Sequence, residues 1–172
     1  MNETIQNLIT RRSVRSYSNK SIPDDVLDQI LDAGSYAPSG MNKQSAVMVV
    51  LRDRDRISDI SFLNAKVMGT DSDPFYGAPV VVVVFADSRV PTYVEDGSLV
   101  MGNLMNAAHA LGLGSCWIHR AREVFESDEG KALLKKWSVE GDYVGVGNCI
   151  LGYAAEEPAM KPRKDDFVYY VL

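Results

Sequence analysis

Arg11-Arg12-Ser13-Val14-Arg15 places three guanidinium groups and a hydroxyl within five residues of a chain whose formal net charge is −5. Guanidinium groups are planar and permanently charged. They suit phosphate recognition and also donate to the carbonyl oxygens of a bound ligand. The same residues could form a solvated helix end that complements the helix dipole, and spacing alone leaves both readings open. A second basic cluster, Lys161-Pro162-Arg163-Lys164, lies near the other end of the chain. The two together could close on one phosphate, with Ser39, Asn42 and Asn64 supplying neutral donors and acceptors.

Protein groups able to carry catalysis alone are scarce. The sequence has no Walker loop, no G-x-G-x-x-G, no H-E-x-x-H and no G-x-S-x-G. Gly112-Leu113-Gly114 follows a helical pattern, so it reads as a helix stop. His109 lies on an alanine-rich helix and reads as packed. His119 follows a strand end, where ligand contact is more plausible. Cys116 and Cys149 sit in apolar contexts, as buried thiols of a reducing compartment do. The His and Cys spacing does not suit structural zinc, so no metal is expected. A phosphorylated ligand without a protein nucleophile points to a cofactor that supplies its own chemistry.

The elements that must position these groups fit one domain over residues 1–172, 46% hydrophobic and 24% charged. A pI near 5.0 argues against nucleic-acid binding. No apolar run is long enough to cross a bilayer, and residues 1–20 lack a secretory core. The cytoplasm is the expected location, with no membrane partner.

Ile5, Leu8 and Ile9 predict a first helix, and Pro23 opens a second that stops at Gly34. Ser35 to Asn42 reads as a loop, Ala46 to Leu51 as a strand, and Ile57, Ile60 and Leu63 as a short helix. Asn64 to Gly77 reads as a further loop. Val80 to Phe85 lacks alternation, which predicts a strand covered on both faces. Glu95 to Leu111 is the longest helical signal. A strand over Ser115–Ile118 and two short helices around 122–125 and 129–137 follow. Tyr143 to Leu151 is a strand in which Gly145 and Gly147 suggest a bulge. Phe167 to Val171 reads as a last strand. The absence of a βαβ rhythm makes the class α+β.

The order of motifs resembles the FMN-dependent nitroreductase family. The resemblance rests on Arg11 to Arg15 with Tyr17, on Ala33-Gly34 and Tyr36-Ala37-Pro38-Ser39-Gly40 with Asn42, and on Tyr76-Gly77-Ala78-Pro79. The run Ala107 to Ile118 and Lys161-Pro162-Arg163 complete it, so it covers nearly the whole chain. It implies a central, mostly antiparallel or mixed sheet surrounded by helices, with the C-terminal segment exchanged across a homodimer. It also implies an oxidoreductase that takes a hydride from NADH or NADPH onto FMN. Electrons then pass by a ping-pong scheme to a nitroaromatic, quinone or similar small acceptor.

By the same resemblance, Arg11, Arg12 and Ser13 would hold the FMN phosphate and ribityl chain, and Lys161 and Arg163 would return to the phosphate. Arg15 would approach the pyrimidine edge and Asn64 the polar edge of the ring. Trp117, Ile118, His119 and Arg120 would line one side. Pro38, Ser39, Gly40 and Asn42 would reach the FMN of the neighbouring subunit. Other flavin chemistry on the same fold (enone reduction, dehalogenation, dehydrogenation) and non-catalytic flavin storage are the alternatives.

Overall fold

The valine run explains the architecture. In the computed structural model, which describes residues 1–171, four strands form one sheet: β1 (Ala46–Leu51), β2 (Val80–Asp87), β3 (Gly114–Ile118) and β4 (Tyr143–Gly152). Their order is β1-β2-β4-β3 and every pairing is antiparallel. Successive side chains of a strand point to opposite faces. Val81 and Val83 therefore enter one core, and Val80, Val82 and Val84 the other. All five are buried, and each contributes about 1.5–3 kcal/mol of transfer free energy before entropy is counted.

Helices cover both faces. On one, α2 (Asp24–Ser35) and α4 (Tyr93–Ala110) bury Leu27, Ile30, Met101 and Leu104. On the other, α3 (Arg54–Met68), α5 (Ala121–Glu126) and α6 (Asp128–Lys136) contribute Ile60, Val124, Phe125 and the half-buried Leu133. α1 (Glu3–Thr10) buries no residue, and Ile5, Leu8 and Ile9 stay about half exposed along its apolar stripe. The β4 bulge predicted from its glycines is present: Val84 pairs with Gly147 and Phe85 with Gly145, leaving Val146 unmatched. Cys116 and Cys149 are buried and free, and they face opposite cores. Burial pushes the Cys149 thiol up to about 12, so it is not a nucleophile at neutral pH.

Four sequence expectations need correction. Pro23 is the N-cap of α2, one residue ahead of its first turn. Gly34 does not end that helix; it lies inside and buried, where a Cβ would come within 2.8 Å of Leu104 Cδ2. Its lack of a side chain serves the α2–α4 approach, not a stop. Residues 64–68 are helix, because α3 runs through Asn64 and Ala65 to Met68 and closes on Gly69. The polar character of 70–77 had masked the good helix formers before it. Finally, Phe167 to Val171 is not a strand in this chain. Its side chains are 61–98% exposed, and a strand needs a partner edge to satisfy its backbone.

Candidate functional site

The arginine cluster is set by two strips of backbone pairing. Val14 N–H donates to Ser115 O at 3.0 Å, and Ser13 bridges Ser115 in parallel along the outer edge of β3. Tyr17 then bridges Ala154, just past the end of β4. This folds residues 11–17 against both β3 and the start of the C-terminal tail. Arg15 N–H donates to Glu156 Oε1 at 3.0 Å, and the Arg15 side chain remains exposed. Tyr17 OH donates to Val14 O at 2.7 Å, and burial pushes its pKa far up.

The two readings of the cluster divide between its arginines. Arg12 is a helix-end residue: its Nη1 donates to Ile9 O and Arg11 O, both at 2.7 Å. It also lines a cavity of about 610 Å³ with Thr10, His109, Gly112 and residues 156–160. Arg11 is different. Its Nη1 is buried and has no partner, and a buried donor left unpaired costs free energy until an acceptor arrives. Thr10 Oγ1 already donates to Gln6 O at 2.8 Å, so it accepts from His109 Nε2 at 2.8 Å. Burial, then Arg11 and Arg12, lower the His109 pKa.

Two more unpaired buried donors lie on β3. Ser115 Oγ and Trp117 Nε1 lack partners, and two residues apart on a strand they share one face. The Trp117 indole lies over Gly147, where a Cβ would come within 2.5 Å of Nε1. Trp117 and His119 line a second cavity of about 530 Å³ with Val94, Ser98, Arg122 and Glu123. Arg120 N–H donates to His119 Nδ1 at 2.7 Å, which places the neutral imidazole's proton on Nε2. The Arg120 guanidinium is held by Glu123 Oε1 at 2.8 Å. β3 thus runs from the cavity that Arg12 lines together with Glu156 and Glu157 to a tryptophan–histidine cavity. A ligand with an anion at one end and a planar ring at the other matches that run.

Other expected residues line neither of these two cavities. Asn64 is fully buried, and its Oδ1 accepts from Asn148 Nδ2 at 3.2 Å. Ile118 is buried, and its carbonyl accepts from the same amide at 3.3 Å. Lys161 and Arg163 are exposed, one and three residues beyond Met160, which lines the Arg12 cavity. Pro38 and Ser39 line a small cavity of about 160 Å³ with Asp96 and Val100 on α4. Val94 and Ser98 face the Trp117 cavity from the same helix. Residues 94 and 96 lie about 200° apart around a helix of 3.6 residues per turn, so α4 itself stands between the 38–42 loop and β3 of one protomer. Sequence reading missed Ser115, Glu156 and Glu157 on the strip, and Asp96 behind the loop. For Asp96 the signal was an acidic side chain inside an apolar helix. Among the described residues no group of three or more His, Cys, Asp or Glu could hold a metal ion, and no helix is long and apolar enough to cross a membrane.

Residues 8–153 match the Nitroreductase family model. The chain belongs to the nitroreductase family. Among curated nitroreductase-family relatives, an Archaeoglobus fulgidus protein named as a candidate NADH dehydrogenase/NAD(P)H nitroreductase is 32% identical over 173 residues, covering 97% of this chain and 94% of that one. An FMN reductase (NAD(P)H) of Bacillus subtilis is 27% identical over 185 residues, covering 95% and 70%. A nitroreductase from Bacteroides fragilis, solved with bound FMN, superposes with TM-score 0.90 at 28% identity over 100% of both chains. The nitroreductase fold thus extends across the whole chain.

Proposed function

We propose that the protein is an FMN-dependent NAD(P)H oxidoreductase whose flavin lies along β3. The observation that carries this reading is three buried donors without partners: Arg11 Nη1 just past the end of α1, and Ser115 Oγ and Trp117 Nε1 on β3. These donors fit a ligand rich in phosphate, hydroxyl and carbonyl oxygens. When bound, FMN would accept a hydride from NADH or NADPH and pass electrons in ping-pong order to a nitroaromatic, quinone or similar small acceptor.

The residues divide the work. Arg11, Arg12 and Ser13 anchor the phosphate and ribityl chain, with Lys161 and Arg163 brought in by the tail. Arg15 supplies a fixed positive charge at the pyrimidine edge. Trp117 and His119 wall the ring, and Ile118 between them packs into the core behind it. Asn64 acts from behind through its amide pair with Asn148. The Pro38–Asn42 loop, screened from its own β3 by α4, serves the site of a second copy, so the working unit is a homodimer. The half-exposed apolar stripe of α1 and the exposed Phe167–Val171 tail are further surfaces for that copy. A location in the cytoplasm, where NAD(P)H is available, suits this chemistry.

The test is the visible spectrum of the purified protein. It is expected to be yellow, or to become so with added FMN, and to bleach anaerobically with NADH or NADPH. A protein that cannot be loaded with FMN refutes the reading. A loaded protein that stays yellow under both nucleotides is a flavin binder without turnover. Arg15→Ala is expected to weaken FMN binding and to make the bound flavin harder to reduce. An unchanged midpoint potential in the loaded variant removes that role for Arg15.

A further inference from the structure

Asp96 is the one buried charged side chain among the described residues, 3% exposed in the first turn of α4. It makes no ion pair within them. Instead Gly40 N–H donates to its Oδ1 at 2.9 Å and Ser45 Oγ to its Oδ2 at 2.6 Å. The chain between those two contacts is strained. Met41, Asn42 and Gln44 have φ of 50°, 53° and 48°, a region that costs free energy for non-glycine residues and persists only where surroundings over-determine it. Ser39 Oγ accepts from Gln44 N–H at 3.0 Å, and Gln44 Nε2 donates to Asn42 Oδ1 at 3.2 Å. The outcome is a bent strap with Met41 83% exposed at its crest.

A buried carboxylate is an expensive way to hold a surface loop unless the loop must keep one shape. Burial would raise the Asp96 pKa, but the Ser45 hydroxyl and the Gly40 amide hold it below the ordinary carboxylate value. The charge is therefore present throughout the neutral range, and the positive end of α4 favours it. The carboxylate ties the two ends of a loop whose middle is strained and points outward, away from its own β3.

We infer that Asp96 is a positioning residue acting across the subunit interface, holding Ser39, Gly40 and Asn42 in the backbone shape that meets the flavin of the second copy. This rests on the reading that the loop serves the partner's site. It adds the residue through which that service is enforced. Asp96 touches neither flavin nor substrate.

The experiment separates action across the interface from a local structural role. Asp96→Asn is combined in one dimer with a differently tagged chain carrying Arg11→Ala and Arg12→Ala, and FMN binding is followed by flavin fluorescence. The Asp96→Asn homodimer should bind FMN about tenfold or more weakly, the loss expected for a charge-assisted bond. In the mixed dimer, the intact cradle of the Asp96→Asn chain faces an unaltered loop from its partner. One FMN per dimer should then bind with wild-type affinity. Ser45→Ala, which keeps the carboxylate, should weaken FMN binding in the same direction by less, and covers the case in which Asp96→Asn folds poorly. Wild-type affinity in both homodimers overturns the inference, as does a mixed dimer whose remaining site is as weak as that of Asp96→Asn. If the wild-type chain binds no FMN, the flavin reading itself falls. If wild type binds FMN and the mixed dimer is not rescued, only the inference does.

Discussion

Arg11→Ala is expected to weaken FMN binding about 100-fold, equivalent to about 2.7 kcal/mol. This is more than any other single change in the cradle. A phosphate oxygen bound by a buried guanidinium gains charge-assisted hydrogen bonds shielded from water, and the Nη1 of Arg11 has no competing partner to give up. Arg12→Ala should cost less, because part of its guanidinium already serves Ile9 O and Arg11 O. Titration of flavin fluorescence at fixed ionic strength measures both. Riboflavin, which lacks the phosphate, is the control, and its affinity should barely respond to Arg11→Ala. A second readout needs no ligand. Arg11 is among the causes that lower the His109 pKa, after burial, so the variant's His109 should titrate at higher pH by NMR. Equal losses for FMN and riboflavin would move Arg11 away from the phosphate.

The same His109 gives the pH dependence a sign. A histidine whose folded pKa lies below its unfolded value holds fewer protons folded than unfolded. Stability therefore declines as pH falls through the unfolded pKa toward the folded one. A bound phosphate offsets that decline by favouring the protonated ring.

Elements whose residues carry their own signal were legible before the structure. Ala46–Leu51 and the valine strand stand out by apolar density, and the β4 bulge by Gly145 and Gly147. What failed was whatever depends on a distant partner. Asn64 reads as a loop residue because its neighbours after Gly69 are polar, yet α3 carries it into the core to meet Asn148. Gly34 reads as a stop because nothing local reveals that Leu104 will pack against it. Likewise, Phe167 to Val171 has strand composition and no edge in its own chain to pair with. The arginine cluster was legible as an anion site, but not its division of labour. That division is set by where α1 ends and by the pairing of Ser13 with Ser115. Asp96 stood out locally as an acid inside an apolar helix, but its role did not, because its partners, Gly40 and Ser45, lie about fifty residues upstream.

Removing residues 161–172 should abolish both tight FMN binding and dimer formation while leaving the folded core. The three effects come from separate observations. Residues 161–171 are exposed throughout and join no strand, so the sheet and its two cores keep their contacts without them. Lys161 and Arg163 are the first two cations after Met160, which lines the Arg12 cavity, and losing both should weaken FMN binding by about 100-fold or more. Phe167, Val168, Tyr169, Tyr170 and Val171 are apolar or aromatic and expose most of their surface. Such an exposed apolar run marks an interaction surface, and the proposed exchange supplies its partner on the second copy. Far-UV circular dichroism should therefore change little, sedimentation should report a monomer, and flavin titration should show the lost affinity. Lys161→Ala with Arg163→Ala in the full-length chain should reproduce the affinity loss and keep the dimer. A truncated chain that remains dimeric would place the interface on α1 and the 38–42 loop alone. One that also binds FMN as wild type would remove the tail from the site altogether.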